Sequence, residues 1–236
     1  MTPSMAQALQ LLAILALPIL TAITFHEAAH GFVADRKGDP TARLLGRLTL
    51  NPIAHIDPFG TIILPLMLYF GPLLVFGQPG IVFGYAKPVP VNFMNLRRPK
   101  ADMVWVAAAG PLTNLGLAVI CGALLQAVAW SQSFSTTAMQ AAGDGAFSVL
   151  GPVSQILYYG VLINVWLMVF NLLPLPPLDG GRVLVGLLPH PSSAKVAALE
   201  PYGMLILMAL LFFEPFHLLM RGMHFLSALV LRFILS

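Results

Sequence analysis

The chain has 236 residues, of which 58% are hydrophobic and only 9% charged. An average soluble domain is about a quarter charged, so this composition excludes a water-soluble globule and places the chain in a bilayer, where apolar runs of about 20 residues span as helices. The net charge of +3 rests on 12 basic and 9 acidic residues, too sparse for a nucleic-acid surface, and the single Cys121 excludes an intramolecular disulfide.

Apolar stretches fall at residues 8–34, 61–77, 103–130, 152–173 and 201–235. The first lacks a basic n-region, residues 1–25 being uncharged, and reads as a retained membrane helix rather than a cleaved export signal. Within it stands TFHEAAHG, with His26, Glu27 and His30. Ionisable groups inside an apolar helix are costly and mark function. Helical spacing puts both imidazoles one turn apart on one face, able to reach one cation, while Glu27 reaches a nearby water without being a ligand. This is the HExxH pattern of zinc hydrolases, with the glutamate as general base.

Segments 35–60 and 78–102 hold eight of the twelve Lys and Arg residues, whereas 131–151 holds none. The positive-inside rule makes both basic segments cytoplasmic. The stretch between them, Thr61 to Gly77, then cannot be a simple crossing; Pro65 and Gly71-Pro72 interrupt it, and a re-entrant element is expected. His55, just before it, either approaches the site or is satisfied by backbone. Ile81 to Phe93 is rich in Val, Phe and Tyr, and Pro88 and Pro90 restrict sheet pairing. It reads as a short edge strand, open to strand addition by an unwound substrate, or as a plain surface connection.

The helices at 103–130 and 152–173 carry two neutral amides, Asn114 and Asn171, which either hydrogen-bond a substrate carbonyl or oxyanion or join helix to helix. A catalytic zinc takes three protein ligands and keeps a position for water, so two histidines need a third partner. Of the six aspartates, Asp35, Asp39, Asp57 and Asp102 lie in the basic segments and Asp144 is expected on the other side. Asp179, in FNLLPLPPLDGGR, is expected on the same side as the histidines; the alternative is a helix N-cap. Gly180-Gly181 are expected to admit a neighbouring helix closely. His190, His217 and His224 share no ligand spacing with other residues and are expected at the surface or interface. In the C-terminal run Glu214-Pro215 leaves a hairpin or one kinked helix open.

The expected fold is an all-α polytopic membrane protein: a helix bundle with three core transmembrane helices, a re-entrant or β-like segment, and one or two C-terminal membrane helices. Residues 1–236 are expected to form one domain, with its core at about 8–190 and a C-terminal membrane segment at about 201–235.

HEAAHG near one helix end, and NLLPLPPLDGG in the last third of the chain, resemble the site-2 protease family of intramembrane zinc metalloproteases. The resemblance covers roughly residues 15–190 and is to the compact prokaryotic branch without a PDZ or CBS domain. It implies His26, His30 and Asp179 as ligands of one zinc ion and Glu27 as catalytic base. AAAGPLTN, residues 107–114, is similar to a family element that places an asparagine, here Asn114, near the zinc. The implied activity is hydrolysis of transmembrane or membrane-proximal peptide segments in the cell membrane, with the site toward the cytoplasm. A metal carrier is the rival reading, disfavoured because LLAILALPIL in the outer half of the first helix offers no polar path.

Overall fold

The computed structural model describes residues 5–77, 84–139, 150–212 and 215–235. They form an all-α membrane protein, with no strand among the described residues. The first helix, α1 (Met5–Lys37), ends where Arg36 and Lys37 complement its C-terminal dipole and Gly38, at φ 114°, turns the chain. Helix α2 (Leu64–Phe76) follows a π-turn at Pro58–Ile63. The long α3 (Pro99–Met139) and α4 (Leu150–Asn171) come next, then the short α5 (Asp179–Leu187), α6 (Gly203–Phe212) and α7 (Pro215–Leu235). Four stretches are long and apolar enough to cross a membrane: Ala13–Lys37, Pro58–Val75, Pro99–Trp130 and Gly151–Asn171.

Three of these helices make the core. Lys37 pairs with Asp102 at 3.2 Å, His30 meets Val106 and His26 meets Asn114, so α1 and α3 run antiparallel. Asn114 meets Asn164, so α4 returns antiparallel to α3 and ends at the same end as α1. The seams hold small and β-branched residues: Ala22, Ala28 and Ala34 on α1, Ala107, Ala109 and Ala118 on α3, Val161 and Val165 on α4. In hydrocarbon, where lipid tails are as apolar as Leu, close approach of such seams replaces hydrophobic burial as the source of helix association. Helix α7 packs across α3 and α4: a Cβ on Gly122 would lie 2.4 Å from Ile234, and His224 sits edge-on to Trp166.

The stretch 58–76 departs from the expectation in form. It is a helix, capped at its start by Asp57, whose carboxylate accepts from the Gly60 amide at 2.7 Å, and closed by Gly77 in the left-handed region at φ 72°. A helix satisfies its own backbone and needs no protein shell, which is why Leu66, Met67, Phe70 and Leu74 remain exposed. Length and composition alone would let it cross, yet the chain comes back to where it left: the Tyr85 amide donates to the Gly60 carbonyl and the Lys87 amide to that of His55. Both basic segments therefore lie at one end of the bundle, as their charge required.

Of the two readings of Ile81 to Phe93, the described residues 84–92 fit the plain connection: they form no regular secondary structure and no ladder, and are pinned one residue at a time to loops and side chains. Residues 81–83, the start of the stretch read as an edge strand or a plain connection, lie outside the described residues, as do Asp144 and Glu214.

Candidate metal centre

TFHEAAHG lies in the last four turns of α1 and turns His26 and His30 toward α3. Both Nδ1 atoms face acceptors there: that of His26 is 2.5 Å from Asn114 Oδ1, and that of His30 is 2.7 Å from the Val106 carbonyl. With each proton on Nδ1, both Nε2 lone pairs point at one spot, 3.1 Å from each other.

Asp179 closes the spot from the far end of the sequence. After α4 the prolines of LLPLPP stop the helix, and α5 begins at Asp179 itself. Gly180 and Gly181 let the chain fold back on its own approach loop, since a Cβ on either would lie 2.2 Å from Leu172 O or Pro176 N. The close approach is thus to the preceding loop, where a neighbouring helix was expected. No side chain caps α5; the N-cap is Leu178, and the Asp179 carboxylate faces the histidines, Oδ2 3.1 Å from His26 Nε2 and Oδ1 3.3 Å from His30 Nε2. Burial works to raise its carboxyl, and the facing His30 and His26 outweigh that and hold it below the usual carboxylate range.

The donor set fits a small divalent cation. The two imidazole nitrogens stand 3.1 Å apart and each has one of the two Asp179 oxygens at 3.1 or 3.3 Å, close to the roughly 3.3 Å edges of a tetrahedron whose metal–ligand bonds are about 2.05 Å, and one atom from each residue can be chosen with all three within 4.8 Å of one another. Asp179 Oδ2 is buried with no hydrogen-bond partner, a costly state for a carboxylate unless a cation meets it. On α3, Gly110 stands directly opposite: a Cβ there would lie 2.5 Å from His30 Nε2 and 2.6 Å from His26 Nε2. The missing side chain is the room the cation needs.

Glu27 points to the side, where its Oε2 accepts the Val89 amide at 2.8 Å. Asn114 is fully buried, and its Nδ2 donates to Asn164 Oδ1 at 2.8 Å and to the Ala22 carbonyl at 3.3 Å. Its polar atoms are taken up between helices, with Oδ1 turned to His26. Asn171 donates to the Leu167 carbonyl of its own helix, and His55 is buried with Nε2 2.9 Å from the Thr49 carbonyl. Neither joins the cluster. His190 and His224 are exposed, and the His217 side chain lies outside the described residues.

The sequence reading overlooked Asn164, Gly110, the Val106 carbonyl and the Val89 amide. Asn164 carries a signal that could have found it, a polar side chain in an apolar helix. Backbone groups carry none.

The chain matches Peptidase family M50 over residues 14–212. It is 39% identical over 203 residues to "Putative zinc metalloprotease YwhC" of Bacillus subtilis, covering 86% of this chain and 81% of that protein. It is 34% identical over 194 residues to "Putative zinc metalloprotease Rip2" of Mycolicibacterium smegmatis, and 29% identical over 202 residues to the protein of that name in Mycobacterium tuberculosis. These alignments cover 81% and 83% of this chain but 64% and 65% of the mycobacterial proteins. No solved structure matches the chain.

Proposed function

The chain belongs to Peptidase family M50, the site-2 protease family, and is a zinc metalloendopeptidase; from that premise we propose that it hydrolyses transmembrane or membrane-proximal peptide segments at a zinc site made by His26, His30 and Asp179. The observation that carries this reading is the convergence of two Nε2 lone pairs and one carboxylate on the space that Gly110 leaves open. Zinc held by these three residues would supply Lewis acidity toward the scissile carbonyl and would lower the pKa of a bound water to about 7.

The remaining chemistry belongs to the chain's own residues. The Val89 amide holds Glu27 Oε2, so Oε1 takes the proton from the attacking water and passes it to the leaving amine. A helical peptide bond has its carbonyl and amide engaged, so a substrate helix unwinds before it is cut. The end carrying both basic segments faces the cytoplasm, which puts the site in the last turns of α1 within reach of cytoplasmic water. Residues 1–236 act as one domain, with the core at about 8–190 and α6 and α7 as its C-terminal membrane segment. Beyond the site, toward the other end, a cavity of about 200 Å³ lies among Leu17, Pro18, Leu117, Ile156 and Leu157, with Thr21, Cys121 and Asn164 also on its wall; no charged group lines it, which favours the enzyme over a carrier.

The test is elemental analysis of detergent-purified protein beside cleavage of a transmembrane peptide. Wild type is expected to hold about one zinc per chain, Asp179→Ala to lose most of it, and Glu27→Gln to keep the metal while losing turnover by about a thousandfold or more. Full zinc in Asp179→Ala, or turnover in Glu27→Gln, removes that residue from its role.

A further inference from the structure

We propose that Asn164, on α4, is a positioning residue that sets the tautomer of His26 through Asn114. A carboxamide has a donor end and an acceptor end of nearly the same shape, so its direction must be imposed by its neighbours. At Asn114 the direction decides the site. With Oδ1 toward His26, the ring proton is drawn to Nδ1 and Nε2 keeps its lone pair for the metal. Turned over, the amide would donate to Nδ1, the proton would sit on Nε2, and one ligand would be lost.

The direction traces back to a group that can only accept. Asn164 Nδ2 donates to the Gly160 carbonyl at 2.8 Å, which turns Asn164 Oδ1 toward Asn114. That oxygen accepts from Asn114 Nδ2 at 2.8 Å, which turns Asn114 Oδ1 toward His26 Nδ1 at 2.5 Å. The series runs over three helices and is buried throughout: Asn164 is 2% exposed, Asn114 0% and His26 7%. The Ala22 carbonyl also accepts from Asn114 Nδ2, at the longer distance of 3.3 Å, and seconds the same direction. His30 reaches the same result in one step, because its Nδ1 meets the Val106 carbonyl directly.

The inference rests on the proposed zinc site, and the experiment separates the two. Zinc affinity of the detergent-purified full chain is measured by chelator competition for wild type, Asn164→Leu, and Asn164→Leu combined with Asn114→Asp. Loss of an outer partner of a ligating histidine weakens metal binding about 10–100-fold, and Asn164→Leu is expected in the lower part of that range. A carboxylate at 114 has no donor end, so it can only accept from His26 Nδ1. The double variant is therefore expected to recover to within about threefold of wild type, a rescue that a packing defect at 164 would not allow. Unchanged affinity in Asn164→Leu, or no recovery in the double variant, overturns the proposal. Should the variants fail to fold, ¹⁵N-histidine spectra of zinc-loaded wild type decide it: His26 metallated at Nε2 and protonated at Nδ1 supports the relay, and the reverse overturns it. A wild type that binds no zinc overturns the site and the relay together.

Discussion

Gly110 shows at the scale of one residue how an absence can be functional. Because both imidazoles are anchored at Nδ1, neither Nε2 can retreat from a methyl group built 2.5–2.6 Å away. Gly110→Ala should therefore cut zinc affinity by about a hundredfold or more, and because the methyl meets the anchored rings with or without a metal, it should also lower the melting temperature of the zinc-free protein despite the roughly 1 kcal/mol by which helix propensity favours Ala over Gly. Chelator competition beside thermal melting of zinc-free protein checks both halves; retained affinity would mean that the metal sits elsewhere. The histidines, Glu27 and Asp179 were legible in the sequence because ionisable groups are conspicuous in a chain only 9% charged. Gly110 was not, since which of 20 glycines faces the cluster depends on how α3 is rotated against α1.

Among the elements, the connection from Tyr85 to Asn92 matters most. The amides of its odd residues turn inward: that of Tyr85 donates to the Gly60 carbonyl, that of Lys87 to the His55 carbonyl and that of Val89 to Glu27. Arg47 reaches the carbonyls of Lys87 and Pro88, and Val89 packs into the space left by Gly31. Its even positions include Pro88 and Pro90, which lack an N–H, so a peptide pairing along this edge would find no donor at either place. The far end is held by Asp39, which accepts from Thr41, the Asn92 amide and Asn95. Burial tends to raise that carboxyl, and the hydrogen bonds outweigh it and hold it low. The stability it contributes is therefore complete above the unfolded value of about 3.9 and is lost as pH falls further, through the lower folded value. Protection of the Asn92 amide from hydrogen exchange, taken relative to its intrinsic rate at each pH, should stay high at neutral pH and fall only below about pH 4, whereas Asp39→Asn should lower it at every pH, at a cost of about 1–3 kcal/mol. Protection in wild type that is unchanged below about pH 4 would show that the clamp does not hold this stretch.

For the molecule as a whole, the helix order was readable because hydropathy marks spans without reference to packing. Stretches 8–34, 103–130 and 152–173 reappear as the bilayer parts of α1, α3 and α4, and the break before Pro215 separates α6 from α7. The out-and-back path of α2 was readable only through charge, since its own composition is that of a crossing. The positions of Leu44 and Met94, 78% and 81% exposed in the two basic segments, turn that path into a test. Cysteines placed there singly, in a Cys121→Ala background, should both react with an impermeant thiol reagent only from the cytoplasmic side; labelling from opposite sides would make α2 a crossing. The proposed ligands also lie far apart in the sequence, His26 and His30 on α1 and Asp179 just after α4. A chain is made from its N-terminus, and α1 enters the membrane carrying only two of the three proposed metal-binding groups. With the site proposed above, the ribosome has to finish about three quarters of the protein before a metal can be gripped, so a nascent or truncated product would be inert and peptide cutting would switch on only once the bundle had been assembled around it.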